Sequence, residues 1–435
     1  MAADAVLHGL RAEIRLALAP CATITLAHDP GELMTQNSHR VVVAGGGVAG
    51  LEALLALHAL AGDRVELTLV SPTADFVYRP LAVAEPFALG SARKTPLSEA
   101  ARTAGATLVQ APLTGVDVAN RTVLLGDGET LPYDALVLAT GAAAEPAFGA
   151  AHVFNWDDTC GADAIGGLLR DLEEGYSQRL AIVIPPGPGW PLPAYELALL
   201  ISSDARGMGM KPEITLITPE QAPLAIFGPR AVELVTEELN QAGVEVELGA
   251  YADLDPGPPS AIVMRPSGRR IEGGRVLALP RLRGRAPQGV PADPDGFVTV
   301  DPHGRVAGAE HVWAAGDGIA FPVKFGGLAA EQADAAAADI AAEAGAMVER
   351  VPFRPVLRGR LLTGRGPRYL RHDASGGGGE GEVATHTLWW PPGKINGRYL
   401  APWLAARDEE TITDHLPQSG GLAVQTDLHR EIGGS

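Results

Sequence analysis

The chain has 435 residues, of which 46% are hydrophobic and 20% are charged, a composition typical of a globular protein with more than one domain. Its formal net charge of −18 argues against a nucleic-acid-binding protein, which needs a basic face. No apolar stretch is long enough to cross a bilayer. The two cysteines, Cys21 and Cys160, cannot form a disulfide framework or a cysteine-rich metal site. We therefore predict no metal and, without a recognisable signal peptide, a cytoplasmic location.

Residues 1–38 form an N-terminal extension without a clear pattern of helix caps or strand turns. The pair Gly31-Glu32, just before Met34, can be encoded by a purine-rich sequence resembling a ribosome-binding site. Two hypotheses stay open: Met34 is the true start, or the extension adds a strand or cap to the first domain.

A glycine-rich turn follows the first clear strand. The apolar run from Arg40 to Ala44 is typical of a buried parallel strand, and it leads into Gly45-Gly46-Gly47-Val48-Ala49-Gly50. In a dinucleotide-binding turn, Gly45 permits the tight turn, Gly47 lets the backbone approach a pyrophosphate, and Gly50 lets helix and strand pack closely.

A helix from Leu51 to Leu60 and a second strand from Val65 to Val70 complete the predicted unit, which indicates dinucleotide binding. The helix N-terminus offers free N–H groups to phosphates. An acidic residue is expected at the end of the second strand to hold the ribose hydroxyls. Ser71 stands there instead, so the ribose gains a hydrogen-bonding hydroxyl without a charge.

Two later segments indicate which nucleotide binds. An apolar strand from Tyr133 ends in Thr140-Gly141, and another from His311 ends in Gly316-Asp317. With the glycine-rich turn, these segments make residues 39–345 resemble the pyridine nucleotide–disulfide oxidoreductase superfamily of flavoproteins, whose three corresponding motifs together bind FAD.

The resemblance implies an α/β fold with two Rossmann-like FAD/NAD(P)-binding (three-layer ββα) domains and a small C-terminal cap. The FAD-binding domain would comprise residues 39–155 and 292–345, the NAD(P)-binding-like domain 156–291, and the cap and tail 346–435. It further implies that FAD is held by Gly45, Gly47, Gly50, Ser71, Thr140, Gly141, Gly316, Asp317 and Lys324. Within this set, the first three glycines would face the pyrophosphate, and Asp317 would hold the ribityl chain.

The second Rossmann-like unit has a degenerate nucleotide loop, Pro185-Pro186-Gly187-Pro188-Gly189-Trp190-Pro191-Leu192-Pro193. Four positions before its helix are prolines without an N–H donor. Its second strand ends at Thr218-Pro219-Glu220 with no obvious ribose-binding acid. The sequence therefore predicts weak NAD(P) binding.

The same loop resembles that of sulfide:quinone oxidoreductases and flavocytochrome c sulfide dehydrogenases, which place a cysteine before a Pro-Tyr-Glu motif. Aligning Tyr195-Glu196 on that motif puts Trp190 at the cysteine. The segment Phe321 to Leu328 also resembles their Pro-x-Lys-x-Gly. Because no cysteine follows Cys160, the likeness is to the scaffold of this branch and of the related type II NADH dehydrogenases, not to its sulfide chemistry.

Lys324 lies seven residues after Asp317, and an Ala-rich helix is predicted to begin near Leu328. In the flavoproteins that this segment resembles, that place is the pyrimidine edge of the flavin ring. The resemblance therefore implies that the ammonium group and the helix dipole stabilise reduced flavin. A solvated loop lysine is the alternative.

The C-terminal region has three of the six tryptophans within Leu388–Leu404, beside Lys394 and Arg398. Aromatic and cationic residues suit peripheral contact with the inner face of a membrane through Trp389–Trp403. The favoured alternative is that these rings pack over the flavin domain or between subunits of a homodimer.

These observations predict an FAD-dependent oxidoreductase that passes electrons from an unidentified donor through flavin to a small-molecule acceptor such as a quinone. One alternative is an NAD(P)H-dependent flavoprotein reductase with weak nucleotide binding. Another is a non-catalytic FAD-binding scaffold or electron carrier for a partner protein.

Overall fold

A computed structural model describes residues 38–149, 153–155, 161–255, 261–376 and 379–407. The N-terminal extension with Met34, both cysteines and the C-terminal tail lie outside the described residues.

The strands in chain order are β1 (His39–Ala44), β2 (Val65–Val70), β3 (Asp75–Tyr78), β4 (Arg93–Pro96), β5 (Thr107–Val109), β6 (Leu113–Asp117), β7 (Thr122–Leu125), β8 (Thr130–Pro132), β9 (Ala135–Leu138), β10 (Ala142–Glu145), β11 (Val153–Asn155), β12 (Arg179–Val183), β13 (Glu213–Ile217), β14 (Val244–Glu247), β15 (Tyr251–Asp255), β16 (Ala261–Arg265), β17 (Arg270–Glu272), β18 (Arg275–Ala278), β19 (Arg281–Gly284), β20 (Val312–Ala314), β21 (Val356–Leu361), β22 (Arg368–Asp373) and β23 (Glu382–Ala384).

The α-helices are α1 (Val48–Ala61), α2 (Leu97–Thr103), α3 (Gly161–Glu173), α4 (Leu192–Gly207), α5 (Pro229–Ala242), α6 (Gly326–Glu343) and α7 (Leu400–Ala405). Short 3₁₀ helices span Gly62–Arg64, Arg79–Phe87 and Ala225–Phe227. None of the helices in the described ranges is long and apolar enough to cross a bilayer.

The first parallel sheet has the order β20-β9-β1-β2-β5. Alternate residues of β1 contact opposite layers, because successive side chains of a strand point to opposite faces of the sheet. Val41 and Val43 pack with α1 and α6, whereas Val42 and Ala44 pack against the antiparallel sheet β6-β7-β8. These contacts make a three-layer ββα domain.

The second parallel sheet, in the order β11-β18-β12-β13-β14, repeats this plan. Leu180 and Ile182 face a core shared with α3, α4 and α5, and Ala181 and Val183 pack against the antiparallel sheet β15-β16-β17. The predicted α/β fold with two Rossmann-like three-layer domains is confirmed.

Two chain segments connect these sheets, and each contributes one strand, β10 or β19. The two strands pair to form an antiparallel ribbon. The strand Val153–Asn155, which the sequence places in the first domain, pairs with β18 of the second sheet. The second sheet therefore begins before the expected boundary at 156, because this short strand has no pattern that assigns it to either sheet.

The C-terminal region adds the antiparallel sheet β21-β22-β23 and a segment, residues 386–407, that we call the C-terminal strap. The strap is fixed to both domains. The amides of Lys394 and Ile395 donate to the Tyr78 hydroxyl, each at 3.1 Å, and the Lys394 ammonium binds Glu196 of α4 at 2.7 Å. The predicted cap therefore bridges the two domains.

Two of the three strap tryptophans pack within the chain, and one of these, Trp403, packs against the flavin domain, as the favoured alternative predicts. The Trp389 ring lies edge-on to Tyr369, and its Nε1 donates to the Gly393 carbonyl at 2.9 Å. Trp403 is 8% exposed and its Nε1 donates to Thr103 at 3.1 Å. Trp390 is 82% exposed, so one ring is left for an external contact.

A buried pair of carboxyl groups holds the end of the strap. Glu52 of α1 is fully buried and accepts the amides of Tyr399 and Leu400 at 2.7 and 2.8 Å, and it is hydrogen-bonded to Asp334 of α6. Burial, and then the charge of Glu52, raise the pKa of Asp334 to about 9. The pair therefore shares a proton at neutral pH.

This pair makes a pH-dependent contribution to stability. The pKa of Asp334 is higher in the folded protein than in the unfolded chain, so the contribution is complete at acidic pH and is lost as pH rises through about 9. In Asp334→Asn the amide donates to Glu52 at every pH. We expect the free energy of unfolding of the wild type to fall relative to this variant by up to about 1.4 kcal/mol per pH unit.

Denaturant unfolding at several pH values between neutral and alkaline checks this expectation. The control Glu213→Gln removes an exposed ion pair and should follow the wild-type pH profile. Parallel profiles for the wild type and Asp334→Asn would show that the pair holds no proton.

Candidate functional site

A cavity of about 1010 Å³ lies where the carboxyl ends of both parallel sheets meet. Its walls include the turns that follow β1, β2, β9 and β20 of the first sheet and those that follow β12, β13 and β18 of the second. Crevices at these strand ends are the usual ligand sites of open α/β sheets.

The sequence predictions converge on this cavity. Of the predicted site residues, those that line it are Gly45, Gly47, Ser71, Thr140, Gly141, Trp190, Gly316, Asp317 and Lys324. Gly50 does not line the cavity, so its place beside the pyrophosphate stays a prediction. Its role is the packing role that the sequence also predicts.

The three fingerprint glycines have three different environments. Gly45 has a φ of +132°, and a Cβ there would lie 2.1 Å from the Ala139 carbonyl oxygen. A Cβ on Gly50 would lie 1.8 Å from the Gly45 oxygen. A Cβ on Gly47 would meet no atom within 4 Å, because this backbone borders the open cavity.

The N-terminus of α1 also faces this space. Its N-cap Gly47 has no side-chain cap, and the first turn holds no acidic residue, so its amides and dipole remain available to an anion. An open backbone at Gly47, close packing at Gly45 and Gly50, and an uncapped helix fit a dinucleotide pyrophosphate.

Ser71 and the last strand turn complete this part of the wall. Ser71 is 1% exposed, and its Oγ bonds to the hydroxyl and amide of Thr73 at 3.3 Å. Gly316 has a φ of +83°, and its amide donates to Gln332 at 2.8 Å. Both contacts fix the turns that bring these residues and Asp317 to the cavity.

Lys324 is buried rather than solvated, with only 4% of its surface exposed. Its ammonium lies 4.1 Å from the centre of the Phe297 ring and donates to the Ile319 carbonyl. Burial lowers the pKa of Lys324 to about 8, against the opposing charges of Asp317 and Asp293. Helix α6 begins two residues later, at Gly326.

Trp190 joins the proline-rich loop to the segment after β20. Its ring stacks on Phe325 with centroids 4.3 Å apart and an interplanar angle of 16°. The Gly189 amide donates to the Pro322 carbonyl, and the Lys324 amide donates to the Gly189 carbonyl, both at 3.0 Å. We call this set of contacts the loop junction.

The loop junction affects the second nucleotide site directly. Because the Gly189 amide is bonded to Pro322, and helix α4 follows an N-cap proline, Pro191, the loop has few amides left for phosphates. At Gly187, whose φ is +112°, an added Cβ would meet no atom within 4 Å, so the loop borders open space there.

Sequence reasoning missed the acid of the second unit. Glu220 follows β13 and lines the cavity. One of its oxygens accepts the Tyr195 hydroxyl at 2.6 Å and the Thr218 hydroxyl at 3.0 Å, while the buried Oε1 has no hydrogen-bond partner. Burial raises the pKa of Glu220. The intervening proline obscured an acid in the position that binds ribose in Rossmann units.

Sequence reasoning also missed an ion pair at the cavity wall. Glu196 and Lys394 both line the cavity, and their side chains are 1% and 7% exposed. The Lys394 ammonium lies 2.7 and 2.8 Å from the two oxygens of Glu196. Burial raises the pKa of Glu196 and lowers that of Lys394. The sequence signal that could have pointed to this pair is Lys394 itself, because the chain has only four lysines.

The described residues contain no group of three or more His, Cys, Asp or Glu side chains that could hold a metal ion.

Comparison with known proteins agrees with this geometry. The chain is similar to an NADH dehydrogenase-like protein of Mycobacterium tuberculosis, with 32% identity over 298 residues, or 64% of this chain and 72% of the relative. It is also similar to the sulfide-quinone reductase of Aquifex aeolicus, with 31% identity over 190 residues, or 41% of this chain and 43% of the relative.

The solved structure of the Aquifex aeolicus sulfide:quinone oxidoreductase has the same fold. The TM-score is 0.72 over 86% of this chain and 90% of that chain, at 18% identity. The model of the pyridine nucleotide-disulphide oxidoreductase family matches residues 39–339. The chain therefore belongs to this family, and it is an FAD-dependent oxidoreductase.

Proposed function

We propose that this protein passes electrons from its flavin to a quinone-type acceptor that enters the cavity beside Glu196 and Lys394. The observation that carries the proposal is the buried ion pair at the wall of the flavin cavity. When bound, FAD accepts and releases pairs of electrons. Reduction of a quinone by two electrons also takes up two protons: reduced flavin would supply one together with the electron pair, and a proton-holding group beside the acceptor would supply the other.

Glu196 and Lys394 suit that role. Burial raises the pKa of the acid and lowers that of the base, so the proton affinities of the partners approach each other. A pair of this kind can hold a proton and release it to an oxygen that gains negative charge. The apolar walls that Trp190 and Phe325 contribute suit the ring of a quinone.

In the proposed arrangement, the amides at Gly47 and at the start of α1 hold the FAD pyrophosphate, and Asp317 binds the ribityl region. Lys324 faces the pyrimidine edge of the flavin, where its charge and the N-terminus of α6 stabilise reduced flavin. We also propose the domain division that the sequence analysis gives, with one change. The second domain includes Val153–Asn155, because this strand pairs with β18 of the second sheet.

A second candidate is reduction of the flavin by NAD(P)H, and Glu220 is the observation that favours it. The unpartnered Oε1 of this buried acid lies where a ribose hydroxyl would donate. The loop junction opposes tight binding, because the Gly189 amide is already bonded. We therefore expect slow reduction by NADH and NADPH.

The glycine assignments predict different failures for two substitutions. Gly47→Trp puts bulk into open space, so the protein should purify without flavin colour and have the melting temperature of flavin-free wild type, since bound FAD itself stabilises the fold. Gly50→Val puts side-chain atoms against the Gly45 oxygen and should lower the melting temperature as well. The ratio of flavin to protein absorbance and thermal unfolding measure both effects. Full flavin content in Gly47→Trp would contradict the assignment.

The assignment of Lys324 predicts a change in redox potential. Lys324→Met should keep the fold and the FAD but lower the midpoint potential of the flavin. The reduced flavin would lose about 1–3 kcal/mol of electrostatic stabilisation by the positive charge of Lys324. Spectroelectrochemistry measures the shift. Lys211→Met, outside the cavity lining, is the control. An unchanged potential in Lys324→Met with stoichiometric flavin would show that Lys324 does not face the ring.

The proton role predicts slower transfer to the acceptor. Anaerobically reduced protein is mixed with a short-chain ubiquinone, and the return of flavin absorbance is followed. Glu196→Gln should slow reoxidation by roughly 10²-fold or more. Glu238→Gln is the matched control, since Glu238 is also buried and paired with cations, Arg365 and Arg368, but does not line the cavity.

Two outcomes would contradict the proposal. Equal reoxidation rates in the wild type and Glu196→Gln would show that Glu196 does not take part in proton transfer. Failure of the quinone to reoxidise the wild type would show that a quinone is not the acceptor. Fast anaerobic bleaching of the oxidised flavin by micromolar NADH would instead establish the second candidate as the donor reaction.

A further inference from the structure

The C-terminal strap packs where two of the helices that border the cavity begin. Val48 and Gly326 are the first residues of α1 and α6, and both line the cavity. A Cβ on Gly326 would lie 3.1 Å from Cγ1 of Ile395 and 3.6 Å from Cγ2 of Val48. Ile395, a strap residue, is fully buried. One strap side chain therefore lies at the point where the two helix N-termini are side by side.

The strap backbone is also fixed to a third wall of the cavity. The amides of Lys394 and Ile395 both donate to the hydroxyl of Tyr78, the last residue of β3. Tyr78 is 3% exposed, and the residues just before and after it line the cavity. The contacts of Ile395 therefore connect the end of β3 with the start of α6.

The next part of the strap lies tightly against the same two helices. A Cβ on Gly397 would lie 2.0 Å from Oε2 of Glu52, in α1, and 3.2 Å from Cβ of Ala330, in α6. Glu52 also accepts the amides of Tyr399 and Leu400. Both helix residues lie about one turn after the start of their helices. The strap therefore crosses α1 and α6 close to the ends that face the cavity.

Neither helix has an acidic or capping side chain at its own N-terminus. The N-cap residues, Gly47 and Phe325, make no side-chain cap hydrogen bond, and neither first turn contains an acid. The aligned peptide dipoles give both N-termini a partial positive charge. Their proximity is therefore unfavourable until an anion binds beside them. FAD carries a negatively charged pyrophosphate, and its binding would offset this repulsion.

We propose that the strap positions the FAD site, so that docking of the strap and binding of FAD stabilise each other. Ile395 is the positioning residue. It keeps the N-termini of α1 and α6 at a fixed separation, so that FAD does not have to order them itself when it binds. By linkage, bound FAD stabilises the docked strap by the same factor. The proposal rests on the proposed place of FAD at these two N-termini.

The affinity for FAD tests one direction of this coupling. The full-length protein is purified with FAD and diluted, and the released FAD is measured by its fluorescence. Ile395→Ala should raise the Kd for FAD at least about fivefold. Ile340→Ala is the matched control, since Ile340 is a fully buried isoleucine of the same apolar core near the other end of α6. It should lower the melting temperature but leave the Kd for FAD unchanged.

Hydrogen exchange tests the reciprocal direction. The bonded strap amides are those of Lys394, Ile395, Tyr399 and Leu400. They should exchange at least about fivefold more slowly with FAD bound than after FAD is removed. The amides of β16 are the control, because this strand packs in an apolar core without strap residues. Slowing at β16 measures stabilisation of the fold as a whole, and the strap amides should slow by more.

An unchanged Kd in Ile395→Ala, or an equal rise in Ile340→Ala, would overturn the proposal. Equal slowing of exchange in the strap and in β16 would overturn it as well. If Ile395→Ala does not fold, Ile395→Val and Ile340→Val replace the two variants, and a smaller rise in Kd is expected for the first alone. These readouts need no electron acceptor. Quinone reoxidation without the coupling would overturn this inference alone, and the coupling without quinone reoxidation would overturn the proposed function alone.

Discussion

The loop junction is the constraint on which the rest of the site depends. Two backbone hydrogen bonds of 3.0 Å connect Gly189 with Pro322 and Lys324, and the Trp190–Phe325 stack covers them. These contacts tie the end of β12 in the second sheet to the turn before α6 in the first domain. One short set of contacts thereby fixes the second domain against the flavin side of the cavity.

The junction also explains why the nucleotide loop can be so rich in proline. Proline removes N–H donors and stiffens the backbone, which weakens a phosphate site but suits a loop whose conformation is fixed by a partner. Glu220 survives at the end of β13 with one oxygen held by Tyr195 and Thr218. The second domain therefore keeps the frame of a nucleotide-binding unit, and its loop contacts the first domain at Pro322, Lys324 and Phe325.

Charge is buried in this protein chiefly where contacts from distant parts of the chain can offset it. Glu196 is paired with Lys394 of the strap, and Glu52 is shared between Asp334 and the amides at the start of α7. The strap thus depends on two acids, one in each domain. It also supplies a cation, Lys394, to the wall of the cavity.

The sequence by itself determined the α/β class and the first dinucleotide-binding unit, because these follow from local patterns, and it indicated the flavin through the resemblance of three motifs to those of a flavoprotein superfamily. Strand Arg40–Ala44, three glycines at fixed spacing and a helix specify one turn, and the structure gives each glycine a distinct environment. The sequence also predicted that the loop from Pro185 to Pro193 has few N–H donors for a phosphate, since proline lacks a backbone N–H in any structural context.

Only the tertiary structure decided which charges meet. Glu196 and Lys394 are separated by 198 positions, and neither has a local signal of its partner, because pairing of buried charges depends on chain connections that no sequence window contains. The Glu52–Asp334 pair and the placing of Val153–Asn155 in the second sheet have the same origin. The sequence indicated the cofactor through motifs that resemble those of a flavoprotein superfamily, whereas long-range contacts decided which charges meet at the cavity around it.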